Sequence, residues 1–308
     1  MATPPPLPAG EEHVYLTGHA SLQEYLAFRT TEPLDAPGLD LARAADEWRA
    51  AHDYLQTLQY FEAVWADNPP VQPVPRALEP LLARVHADPI FRRSFALVPA
   101  EVGVVELDRF VVRHRTLNLA HVRRVQEGLG PAPDAETVFR LCLPFDHPAE
   151  EHRVGRAPGG GFVFTAASNN FRFLEAVLLR PGQVADFQPV GPVAGVVGLF
   201  VGFGSNYLNA IASDGRLVLN NGHHRACALR ERGLSHVPCV IQRLTRREEL
   251  NVIGAGHLRS NPDAYLKVSR PPVLKDYFDP KLRTIVRMVP VRKQVKVTFT
   301  VEESEVPA

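Results

Sequence analysis

Residues 214–242 read DGRLVLNNGHHRACALRERGLSHVPCVIQ, and this run leaves the chain little choice of local structure. Asp214-Gly215 is a turn signal. Arg216 to Leu219 reads as a strand that Gly222 breaks, Ala226 to Leu229 suits a short helix, and Val237 to Leu244 reads as a second strand. Small residues such as Ala226, Cys227 and Ala228 let that helix pack closely on a sheet. The start of the helix carries the chemistry. Its first N–H groups have no partner within the helix, and its dipole favours negative charge there. Gly222 lets the backbone come close to a ligand. His223 and His224 can donate hydrogen bonds, and Arg225 is a fork-shaped cation suited to phosphate. Gly222, His223, His224 and Arg225, with Asn221 before them, therefore predict a phosphate pocket. The competing reading is a structural turn with a surface Arg and a histidine capping a strand.

The rest of the chain divides by texture. Residues 1–20 read as a Pro-rich, disordered arm, and residues 21–96 as a helical region. Ser21 to Phe28 is a short helix capped by Ser21. Leu41, Ala44, Trp48, Ala51, Leu55, Leu58 and Trp65 form a stripe at helical spacing. It predicts one long helix from Leu39 to Asp67, packed against Ala77 to Val85, or a homodimer formed through these N-terminal helices. Residues 97–258 read as an α+β domain with insertions. Its predicted strands are Val102 to Val112 (bent), Val138 to Phe145, Phe162 to Ala166 and the buried Val193 to Phe203. Asn118 to Leu129 is a helix, and Thr245 to Glu248 is a capping box. Residues 259–308 form a basic C-terminal extension, broken at Arg270-Pro271-Pro272.

Composition bounds the function. Hydrophobic residues make up 45% and charged residues 22%, as in ordinary globular proteins. The formal net charge is zero, which argues against a dedicated nucleic-acid binder. The charge is uneven: residues 1–67 carry eleven acidic and three basic residues, and residues 259–296 ten basic and three acidic. Two faces that neutralise each other in the fold explain this more simply than a surface for a polyanion. Three cysteines without a CxxC fit a reducing, cytoplasmic setting. The opening residues lack the signature of a signal peptide, and the apolar run Pro192 to Ala212 is too rich in Gly and Asn for a membrane span.

Asn221-Gly222-His223-His224-Arg225-Ala226, followed by Leu229, Gly233 and Val237-Pro238-Cys239-Val240-Ile241, resembles the core motif of the ParB/sulfiredoxin-like superfamily. Its members carry a Gly-x-x-Arg turn at a helix start and a later Val-Pro strand. The likeness covers residues 213–250, and Val104 to Asp108 echoes the family's opening strand. The resemblance implies a helical N-terminal region followed by a ParB/sulfiredoxin-like mixed-sheet domain with elaborations. It also implies a nucleotide (ATP, ADP or CTP) with Mg²⁺. Asn221, Gly222, His223, His224 and Arg225 would hold its phosphates, joined by Arg113 and Arg115 after the opening strand. His223, His224, Glu106 and Asp108 are then the candidates for proton transfer, and Gly204, Asn206 and Asn209 for the pocket lining. The chain departs from sulfiredoxin in having His223 where that protein has its catalytic Cys, and from ParB in lacking a helical DNA-binding domain. The implied function is a phosphotransferase or NTP hydrolase acting on a small molecule. The alternatives are a nucleotide-gated protein-interaction module without turnover, and a ParB-like nuclease or nucleic-acid binder. No metal site is expected. His223 and His224 are adjacent and should point apart, and the run Asp146 to His152 lacks metal-ligand spacing.

Overall fold

The computed structural model describes residues 10–148, 150–186, 188 and 190–307. The first nine residues of the expected Pro-rich arm lie outside these. The protein is α+β, with helices near the N-terminus followed by mixed sheets. The chain divides into two compact units, residues 1–146 with 206–290, and residues 147–205 with 291–308. These are not the boundaries that composition suggests, because segments distant in sequence pair with one another.

In the first unit, a six-stranded mixed sheet runs in the order Val71–Gln72, Ala100–Glu106, His236–Arg243, Asn209–Ser213, Arg216–Asn221 and Val111–Val112. Asn209–Ser213 and His236–Arg243 are parallel neighbours. Arg216–Asn221 turns back on Asn209–Ser213 through Asp214 and Gly215, both at positive φ. Both faces of the sheet are covered. Leu217 and Leu219 enter the main core, whereas Val218 joins a second cluster with Tyr265 and Val273. This explains why the strand reads as continuously apolar.

Residues 11–16, expected to be disordered, are instead the middle strand of a three-stranded sheet. Glu11–Leu16 pairs with Arg283–Met288 on one side and Thr116–Asn118 on the other. Val14 and Leu16 enter the main core, and Tyr15 enters a satellite core with Tyr25, Phe28 and Ala44. The alternation marks a strand, but its partners lie more than a hundred residues away.

The helical region follows its capping signals. Ser21 and Glu24 form a reciprocal capping box at the start of Leu22–Thr31. Asp40 caps Leu41–Phe61. That helix ends at Phe61, six residues before the expected Asp67, and the next residue, Glu62, has its carboxylate taken by Arg270 and Lys275. Its buried face packs on Leu22–Thr31. Leu78 and Val85 join the main core instead, so the expected pairing with Ala77 to Val85 does not occur. Residues 138–145, expected as a strand, belong largely to a helix, Ala135–Cys142. Asp134 caps it, and Val138, Phe139 and Cys142 share its buried face. Thr245 is held by Glu249 rather than by Glu248.

The second unit contains an antiparallel sheet in the order Lys293–Val297, Phe162–Ala166 and His152–Arg156. It also holds a ribbon of Phe171–Leu179 and Val196–Phe203. The strand expected at Val193 to Phe203 exists but is not buried. Val197 is 70% exposed, because a two-stranded ribbon offers too few neighbours to cover both faces.

The uneven charge is partly spent inside the first unit. Arg270 and Asp276 are almost fully buried and joined through both guanidinium nitrogens, one contact being 2.6 Å. Glu62 lies 3.0 Å from Arg270, and His19 Nε2 lies 2.8 Å from Asp276. Burial alone would raise the Asp276 pKa. Hydrogen bonds from His19 and Arg270 outweigh it and hold the carboxyl at about 2. We predict that Asp276→Asn, which leaves a buried cation short of charge, costs about 3–5 kcal/mol in urea unfolding. The unfolded carboxyl titrates near about 4, so the wild-type contribution should be complete above that pH and lost as pH falls toward 2. A pH-independent unfolding midpoint below about pH 4 would contradict this.

Candidate functional site

Gly222 sits at φ 100°, a left-handed conformation that ends the strand and opens the helix His223–Glu231. A Cβ there would lie 3.0 Å from Leu208 Cγ and 3.3 Å from Arg225 Nη2. The helix has no side-chain cap, so its first N–H groups are offered outward. Successive residues of a helix turn by about 100°. His223, His224 and Arg225 therefore leave in three directions and do not converge on one guest.

Arg225 points inward and is 7% exposed. Its Nη1 donates to the carbonyls of Leu141 (2.9 Å), Cys142 (3.5 Å) and Asn206. Burial pulls the guanidinium down to about 10, which still leaves it charged at neutral pH. His224 points the other way. Its Nε2 accepts the Asn118 N–H at 3.3 Å, and its ring lies 4.5 Å from that of His121. Burial, with His121, His114, His13 and Arg124 nearby, pulls its pKa to about 3.

His223 takes the third direction. It is 6% exposed, and its ring stands perpendicular to that of His114 at 4.3 Å. Its Nε2 has no hydrogen-bond partner among the described residues. Burial holds it neutral, and His114, Arg113 and His224 push the same way. Desolvation of the ring, part of which stays exposed, and the nearby Arg113 bring His114 to about 4. Arg113 donates from Nη2 to the Asn220 carbonyl at 3.2 Å, and its buried Nε has no partner. The groups that support its charge against burial are the phenols Tyr265 and Tyr277, not carboxylates.

The remaining candidates have other duties. Asn209 is buried, donates to the Tyr207 carbonyl and accepts from Asn220. Asn221 also donates to Tyr207 O, and Asn206 offers its carbonyl to Arg225. Arg115 reaches the His19 carbonyl and lies 3.4 Å from Glu24. Gly204 belongs to the second unit, where it exchanges hydrogen bonds with Asn170. Asp108 pairs with Arg230 through both oxygens, and Glu106 lies 3.4 Å from Arg109. Arg230 is in the last turn of the helix, about 10 Å from its start at about 1.5 Å per residue. The two carboxylates named for proton transfer are thus at the far end from Gly222, beside a cleft of about 280 Å³.

The structure therefore brings Arg113 and His114 to His223, and Asn118, His121 and His13 to His224; no local motif marks His13 or His121. Mg²⁺ prefers oxygen ligands, and the groups facing this turn are imidazoles, amides and a guanidinium, so the protein's own side chains do not fit that ion. Among the described residues, no three His, Cys, Asp or Glu side chains come together in a way that could hold a metal. Asp146 is instead bound by Arg84 and Arg140. No helix among the described residues is long and apolar enough to cross a membrane. No protein-family model matches the chain, and neither a curated protein nor a solved structure matches it.

The conformation of Gly222 gives a direct test. Gly222→Ala should destabilise the protein by about 1–3 kcal/mol through left-handed strain, with crowding against Leu208 added. Gly128→Ala, at a helical glycine with open space around it, should stabilise by about 0.4–1 kcal/mol. Equal effects in chemical denaturation would show that the turn does not need its glycine.

Proposed function

We propose that this is a cytoplasmic, ParB/sulfiredoxin-like phosphate-binding protein whose ligand is a nucleotide such as ATP, ADP or CTP. The observation that carries the reading is a pair of buried nitrogens without a partner among the described residues, the Arg113 Nε donor and His223 Nε2, which donates when it carries the ring proton, beside an uncapped helix start. Buried polar atoms are normally hydrogen-bonded, and an acceptor group on a ligand would supply what these lack. Charge agrees, since the groups acting on His223 are Arg113, His114 and His224, with no carboxylate among them. In this reading Arg113 is the phosphate-facing cation and Arg225 a structural one. Three buried free thiols suit a reducing compartment.

Binding is better supported than phosphoryl transfer. A general base must reach the proton that it takes. Glu106 and Asp108 are committed at the other end of the helix, and His224, at about 3, is a weak base at neutral pH. A nucleotide-gated interaction module fits this arrangement. The Glu11–Leu16 strand brings His13 within electrostatic range of His224, so a ligand at the turn would be felt in the N-terminal region. A small-molecule phosphotransferase or hydrolase becomes the better reading if steady phosphate release is measured.

A thermal-shift panel of nucleotides tests the proposal, because a ligand that binds only the folded state raises Tm. Arg113→Gln should weaken binding about 10- to 100-fold, as expected for a lost charge-assisted hydrogen bond, with the unliganded Tm little changed. Arg225→Met should instead lower the unliganded Tm, because it strips the buried carbonyls of Leu141 and Asn206 of their donor. Undiminished affinity in Arg113→Gln would sink the assignment.

A further inference from the structure

We propose that this site takes its anion together with a proton rather than with a divalent cation. The ligand class is a phosphate monoester or a nucleotide's terminal phosphate, its charge met by Arg113 and by a protonated His114–His223 pair. The inference rests on the phosphate reading above and specifies how charge is balanced there.

The geometry is a contact between the buried His223 imidazole and the more exposed His114 imidazole, with the partly buried Arg113 guanidinium beside them. The His114 and His223 rings are 4.3 Å apart, and both His223 Nε2 and Arg113 Nε lack partners among the described residues. From its own helix His223 faces His224, and from the segment after Val111–Val112 it faces Arg113 and His114. Two phenols close the other side. Tyr277 donates to the His114 carbonyl, while Tyr265 donates to the Arg113 carbonyl and lies 3.0 Å from His257 Nδ1. Around His224 stand His121 and Arg124 from the helix Leu119–Leu129, and His13 from the first strand. The carboxylate on that side is Glu11, which acts on His13 and His121 and already accepts from Asn118 at 2.6 Å.

In the free protein, burial and these cations keep both imidazoles neutral, His114 at about 4. A phosphate monoester brings about −1.5 to −2 charges at neutral pH, more than one guanidinium offsets. Mg²⁺ could supply the rest only through phosphate and water oxygens, because no carboxylate acts on His223 or Arg113. The imidazoles can supply it in place. An opposite charge within about 4–6 Å raises a histidine's pKa by roughly 1–3 units. Anion and proton then strengthen each other's binding. The bound state has the higher pKa, so affinity should rise as pH falls through that value. The rise should level off below the free-state value, about 4 for His114.

Calorimetry on the full chain tests this with three probes, AMP, inorganic phosphate and sulfate, the last because it does not titrate in this range. Each is titrated with EDTA or with Mg²⁺, in two buffers of unlike ionisation enthalpy, at about pH 6 and about pH 8. The expected result is binding in EDTA, roughly tenfold tighter at the lower pH, with a heat that depends on the buffer and so reports proton uptake. His223→Asn and, separately, His114→Asn keep an amide donor but cannot titrate. Each should still bind at about pH 8 with a flattened pH profile, and either one suffices if the other does not fold. Binding that needs Mg²⁺, a buffer-independent heat with sulfate, or an unchanged profile in a folded variant overturns the proposal while leaving the phosphate reading in place. No heat with any probe under any condition overturns both.

Discussion

The Arg225 guanidinium is the contact on which the site's architecture depends. Its Nη1 gathers main-chain oxygens from Leu141 and Cys142 on one side and Asn206 on the other. Between these points the chain leaves the first unit to build most of the second and then returns. Leu208 N, bonded to Cys142 O at 2.7 Å, closes the same gap. A buried carbonyl without a donor costs about 1–3 kcal/mol, so one side chain satisfies several groups that an insertion point would otherwise leave exposed or unpaired. It also fixes the turn, since Gly222 has Leu208 on one side and Nη2 on the other.

The local grammar of the chain was legible. The Asp214-Gly215 turn, the Gly222 break, the helix His223–Glu231, the bend within residues 102–112 and the Ser21 and Asn118 helix starts all depend on neighbours close in sequence. Pairings were not legible. Nothing near Glu11 announces Arg283–Met288, and Val138 to Phe145 reads as a strand until Asp134 is seen bonding the Thr137 N–H. The site divides the same way. The tetrapeptide at Gly222 marks where the strand ends and the helix begins, but the roles within it depend on what each side chain meets. Arg225 meets carbonyls from two distant segments. Arg113, named only by resemblance, is a cation on which no carboxylate acts among the described residues. His13 and His121 carry no signal in their own neighbourhoods.

Imidazoles dominate the groups around this helix start, and their burial sets how they behave. Exposed, they would titrate near neutrality. Beside Arg113 and Arg124, His223 and His224 are held uncharged, and the helix start carries no fixed excess of positive charge from them. A permanent cluster of that kind would repel itself in the unliganded protein. Neutral rings avoid this, and the helix N–H groups add a partial charge that needs no counterion.

Both three-stranded sheets are completed by late segments. Glu11–Leu16 waits for residues 283–288, and Phe162–Ala166 waits for residues 293–297. Ribosomal synthesis therefore exposes two strand edges for most of the time the chain is being made, and neither sheet can close until those residues emerge. Contacts at such separations slow folding and leave partly built sheets open to wrong partners. Late closure of its sheets, rather than fragility once folded, is the cost this topology carries.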